Sequence, residues 1–132
     1  MATCVGEVSE PRREGVVLIV DDDESIRETL EAALQDGGYE TAVASDGEQA
    51  LGWLRQHPPP KVMLLDLMMP VMDGWQVLDH LRQRDELSRV PVAVITAFGR
   101  DLKTASDYPT LRKPIELDDL FKVVEGYPSA TH

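Results

Sequence analysis

The stretch that decides the fold is VLIVDDDESIR, Val17 to Arg27. Four apolar residues, three of them β-branched, run directly into three aspartates and a glutamate. A continuous apolar run of this kind suits a strand buried on both faces, as in a parallel sheet. The acids at its end need a separate reason. Two carboxylates about 4 Å apart at an effective dielectric of ~20 repel by roughly 4 kcal/mol.

Outward from that stretch, strands and helices alternate. Val16–Val20 is followed by a helical pattern with Ile26, Leu30, Ala33 and Leu34 on one face, Asp23 as its N-cap and Gly37-Gly38 as its stop. Tyr39 to Ala44 reads as a second strand and Ser45 to Gly47 as a turn or cap. A short helix through Ala50, Leu51 and Leu54 ends at His57 to Pro60. Val62 to Asp66 repeats the opening theme, an apolar run ending in an acid. A loop from Leu67 to Gly74 leads to a helix through Trp75, Val77, Leu78 and Leu81. Val90 to Ala97 gives a fourth strand ending at Thr96, Thr110 to Pro114 a weak fifth, and Leu117 to Gly126 a final helix. Such alternation implies an α/β fold: a doubly wound parallel sheet of five strands covered on both faces. Ligands of such sheets bind outside the carboxyl ends of the strands.

The totals bound the function. A chain of 132 residues with 42% hydrophobic residues makes one globular domain. Acids outnumber bases 24 to 13, a formal net charge of -11, which argues against sequence-independent nucleic-acid binding and fits a cation or a basic partner. The single cysteine, Cys4, allows no intramolecular disulfide and points to a reducing, cytoplasmic setting. No apolar run approaches the ~20 residues of a membrane helix. Residues 1–14 are expected to form a leader, 15–126 the domain and 127–132 a tail, which leaves room for this one domain.

The strand ends carry Asp21, Asp22, Asp66, Thr96 and Lys113. Three carboxylates together call for a counter-charge, and carboxylates with water are what Mg²⁺ prefers. Lys113 and Thr96 supply a cation and a hydroxyl donor suited to phosphoryl oxygens. An acid cluster, a metal, a hydroxyl and a lysine make a site for phosphoryl transfer onto a carboxylate. Asp66, alone at its strand end, is the best nucleophile, and Asp21 with Asp22 the better metal pair.

Four segments, LIVDDDESIR, LLDLMMPVMDG, VITA and LRKP, resemble in order and spacing the response-regulator receiver domain of two-component signalling. The resemblance runs from about Val16 to Glu125. It implies a flavodoxin-like receiver fold, phosphorylated on one aspartate by a histidine kinase or phosphotransfer protein. It assigns Asp66 as phosphoacceptor, Asp22 as a direct Mg²⁺ ligand and Asp21 as a ligand directly or through water. The backbone carbonyl of Met68 completes the metal site, Thr96 is the switch hydroxyl, and Lys113 pairs with the acceptor and then the phosphate. Lys113-Pro114 is expected to be cis. Such a protein is a signalling switch that takes part in its own phosphorylation and dephosphorylation, not an enzyme acting on other substrates.

The chain departs from the pattern in two places. The fourth-helix region between Thr96 and Lys113 is shortened, with one or two helical turns at most before Pro109. Thr110 stands where many receivers carry a Tyr or Phe, and Tyr108 is out of register. The altered fourth-helix region supports an alternative, a phosphorylation-independent pseudo-receiver acting as a protein-binding module. An aspartate phosphatase would want an acid where Met68 stands, and a flavin-phosphate site would want a Ser/Thr/Gly-rich loop where the aspartates stand.

Other residues take structural readings. Asp23 and Glu24 start a helix. Asp73 before Gly74 is a turn residue or cap. Met63, Met68, Met69 and Met72 serve packing rather than metal binding. Trp53 and Trp75 pack on helix faces, and His57 faces solvent. Met68 and Phe98 flank the site, where the resemblance implies that they tune water access.

Overall fold

The structure, a computed structural model, describes residues 15–69, 73–83, 90–96 and 109–126. The described elements follow in the order β1 (Val16–Val20), α1 (Glu24–Asp36), β2 (Glu40–Ala44), α2 (Gly47–Gln56), β3 (Val62–Asp66), α3 (Gly74–Gln83), β4 (Val92–Thr96), β5 (Thr110–Arg112) and α4 (Leu117–Glu125). All five strands are parallel and lie in the order β2-β1-β3-β4-β5. The chain thus winds one way from β1 to β2 and then turns back past β1 to reach β3 on its other side. The reversal opens a crevice at the carboxyl ends of β1 and β3.

The apolar strands are continuous because each feeds two cores. Leu18, Val20, Met63, Leu65, Val92 and Val94 face α2 and α3, against Leu51, Leu54, Val77, Leu78 and Leu81. Their alternate neighbours Val17, Ile19, Val62, Leu64, Ala93 and Ile95 face α1 and α4, against Leu30, Leu34, Leu120 and Val124. Burying one such side chain is worth about 2 kcal/mol. A slip of one residue in any strand would exchange the two cores, so the register is strongly fixed.

The helix ends follow local chemistry. Asp23 Oδ1 accepts from the N–H groups of Ser25 and Ile26 at 2.9 and 3.4 Å and caps α1. That helix closes with Tyr39 N–H donating to Leu34 O and Gly38 N–H to Gln35 O, with Gly38 at φ 96°. Asp46 caps α2 through Gln49 N–H at 2.9 Å. Asp73 and Gln76 exchange bonds reciprocally, each backbone N–H donating to the other's side chain at 3.0 Å, so the expected cap at α3 is present.

Some expectations shift. The second strand begins at Glu40, because Tyr39 closes the helix turn. The fourth begins at Val92 and the fifth is only three residues long. The methionine reading holds for Met63 and Met69, which are buried, but not for Met68, which is 55% exposed. Trp53 and Trp75 pack on the core, and His57 is exposed and stacked on Trp53. The leader, the tail, Met72, Phe98, Tyr108 and the shortened region at 97–108 lie outside the described residues. Among those described, no helix is long and apolar enough to cross a membrane.

Candidate phosphoryl-acceptor site

Strand register alone builds the site. Val20 pairs with Leu65, so the next residues on the two central strands are Asp21 and Asp66. Asp66 in turn pairs with Ile95, and Thr96 with Arg112, so Lys113 is the next residue on the edge strand. Lys113 N–H donates to Thr96 O at 2.9 Å and ties the two ends together. Asp21, Asp66 and Thr96 are the buried polar residues among those described.

The carboxylates meet one cation. Lys113 Nζ lies 3.2 Å from both Asp21 Oδ2 and Asp66 Oδ2. It donates a directed hydrogen bond to Asp66 Oδ2, whereas Asp21 Oδ2 is buried with no hydrogen bond. The other oxygens are held by backbone: Asp23 N–H donates to Asp21 Oδ1 at 2.9 Å, and Met68 N–H to Asp66 Oδ1 at 3.0 Å. Burial is the main cause that pushes the Asp66 carboxyl up to about 6; the nearby Asp21 adds to it, while the Met68 N–H and Lys113 oppose. Burial works against the Lys113 charge, but the Asp66 and Asp21 carboxylates outweigh it and raise the ammonium above its ordinary value.

One lysine leaves the cluster short of positive charge. Asp21, Asp22 and Asp66 each bring an oxygen within 4.8 Å of the others. Mg²⁺ holds oxygens at about 2 Å, so ligands on opposite sides stand about 4 Å apart. The donor set is all hard oxygen, and Asp21 Oδ2, in ion-pair contact with Lys113, lacks the directed hydrogen bond that a buried polar atom ordinarily has. These residues therefore fit a small divalent cation, and exposed Asp22 leaves its outer side open to water.

All five residues expected at the site come to the carboxyl edge of the sheet, and Lys113-Pro114 is cis as expected. Sequence reasoning missed two residues. Arg27 Nη1 donates to the backbone carbonyl of Asp21 at 2.7 Å; its only signal in the sequence is a cation in the opening turns of a helix. Gly74 brings the start of α3 so close to the end of β3 that an added Cβ would lie 2.5 Å from Asp66 O and 2.7 Å from Leu67 Cα. The MDG turn signals a glycine there but not what it touches.

The model of the response regulator receiver domain matches residues 17–125. The chain belongs to that family. It is a receiver domain, the signalling-switch module of two-component response regulators. Response regulator Rcp1 of Synechocystis is 33% identical over 129 residues, covering 86% of each chain. Response regulator Rre1 of the same organism is 34% identical across 83% of this receiver, which spans only 50% of that protein. A probable transcriptional regulator, ycf27 of Guillardia theta, is 46% identical over 83 residues, 63% of this chain and 31% of the relative. Among solved structures, the chemotaxis protein CheY4 of Vibrio cholerae superposes with a TM-score of 0.77 at 29% identity, covering 88% of this receiver and all of that chain. The Mn²⁺-bound form of Rcp1 superposes with a TM-score of 0.70 at 31% identity, covering 86% of this receiver and 91% of that chain.

Proposed function

We propose that this receiver accepts a phosphoryl group on Asp66 from a histidine kinase or phosphotransfer protein in a Mg²⁺-dependent reaction, in the cytoplasm, and passes the change on to a protein partner. The observation that supports it most is the buried Asp66 carboxylate at the end of the central strand, bonded to Lys113 and clustered with Asp21 and Asp22. Asp21, Asp22, Asp66 and the backbone carbonyl of Met68 would hold Mg²⁺. When bound, the ion neutralises charge on the acids and on the incoming phosphoryl oxygens.

The chain's own groups supply the rest. Met68 N–H fixes the Asp66 carboxylate, so one orientation is presented to phosphorus. An Asp66 oxygen forms the new O–P bond as the donor's N–P bond breaks, and the electron pair stays with the leaving nitrogen. Lys113 holds a phosphoryl oxygen in place of the carboxylate it now bonds. Thr96 donates its hydroxyl to another and carries the change into β4. Attack by water on phosphorus restores Asp66 and releases phosphate, which resets the switch.

Intact mass after incubation with a small acyl-phosphate donor tests the reading. The wild type should gain one phosphoryl group with Mg²⁺ and none with chelator, and Asp66→Asn should gain none. A wild type that stays unmodified while a control receiver is labelled would point to the phosphorylation-independent binding module. An adduct that survives in Asp66→Asn would remove the nucleophile.

A further inference from the structure

Asp22 is the least supported member of the acid pocket. It is exposed, and among the described residues its carboxylate makes no hydrogen bond. Asp21 and Asp66 are each fixed by a backbone N–H and by Lys113. What orients Asp22 is therefore its backbone, and specifically the peptide that joins it to Asp21. The N–H of Asp21 still reaches the sheet, donating to Ala44 O at 3.2 Å. Its carbonyl lies beyond the last registered pair of β1, at Val20. That carbonyl receives Arg27 Nη1 at 2.7 Å.

The placement of Arg27 is not explained by helix formation. Its N–H closes the first turn of α1 on Asp23 O at 3.0 Å, so its charge sits at the positive end of the helix macrodipole. A cation there opposes the dipole. Arg27 is half-buried and turns back along the helix to the strand end. A guanidinium bonded to a carbonyl is a charge-assisted contact, stronger than a neutral one.

We propose that Arg27 is a positioning residue of the cation pocket: by bonding the Asp21 carbonyl it fixes the Asp21–Asp22 peptide and holds Asp22 in reach of Asp21 and Asp66. The inference rests on the reading of these acids as a Mg²⁺ site serving Asp66. Two effects of removing Arg27 have opposite signs, which makes it decidable. Loss of a nearby positive charge strengthens Mg²⁺ binding by simple Coulomb attraction. Loss of the lock on Asp22 weakens it.

Mg²⁺ affinity is measured calorimetrically for the wild type, Arg27→Met and Arg27→Lys, with folding checked by circular dichroism. Arg27→Met should bind Mg²⁺ about tenfold more weakly, the loss expected for one charge-assisted hydrogen bond. Arg27→Lys, which keeps one donor, should fall between, and at saturating Mg²⁺ both should recover wild-type adduct formation. Should Arg27→Met fail to fold, Arg27→Lys carries the test with an expected loss of about threefold. Unchanged or tighter binding in the folded variants overturns the proposal, and so does a wild type that binds no Mg²⁺. The expected order of affinities with no wild-type adduct would support the positioning role while removing Asp66 as phosphoacceptor.

Discussion

Asp66 is a buried acid whose charge depends on what stands beside it. Its carboxyl is raised to about 6 from the ordinary 3.8, first by burial and then by Asp21. For an acid raised on folding, the native state holds the extra proton between the two values, so this group's contribution to stability falls as pH rises through that window. Metal-free protein should therefore lose part of its thermal midpoint between about pH 4 and about pH 6. Mg²⁺ should restore it above that window and do little below, because protons then compete for the same oxygens. A scanning-calorimetry series with and without Mg²⁺ checks the sign. Lys113 gives the complementary test. Lys113→Met leaves two buried carboxylates uncompensated and should cost about 2 kcal/mol in denaturant unfolding of metal-free protein, reduced from a fully buried pair by the lysine's partial exposure. Mg²⁺ should bind that variant more tightly, since nothing else remains to balance the acids.

At the scale of elements, α3 is set against the end of β3 by a glycine. Gly74 N–H donates to Leu67 O at 3.1 Å, and the approach leaves no room for a methyl group. Gly74→Ala should destabilise by about 1–3 kcal/mol and also slow phosphorylation, because the strain falls on the backbone of Asp66 itself. Comparing denaturant midpoints with phosphoryl-adduct rates separates this from a fault elsewhere in the helix. Elements of this kind were only partly legible in the sequence. β1, β3 and β4 announced themselves because burial on both faces forces continuous apolar runs, and the helix starts because Asp23 and Asp73 cap locally. Edges were less legible: Glu40 and Arg112 bound strands with one neighbour each, where the pattern is weak. The five site residues were readable since each lies at the carboxyl end of a strand or just past it. Arg27 and Gly74 were not, because their partners are backbone atoms, and a sequence does not say where a carbonyl will be.

The whole molecule is two cores sharing one sheet, and the site stands where the winding reverses. β1 and β3 are the strands with a partner on both sides and a core on both faces nearest that reversal. Val17–Val20 and Val62–Leu65 are fully buried. Hydrogen exchange should thus divide the chain. Amides of Leu18, Ile19, Leu64 and Leu65 should exchange only by global unfolding, and those of edge strands β2 and β5 much faster, through local opening. Equal protection across all five strands would contradict this. The pocket therefore has walls of unequal persistence. Asp21 and Asp66 stand on the ground that gives way last, whereas Lys113 is borne by a three-residue edge strand. Breathing motions of the native protein should carry the lysine off and return it many times before the two acids ever part, so the molecule regularly samples an acid pair bared to whatever cation is dissolved around it.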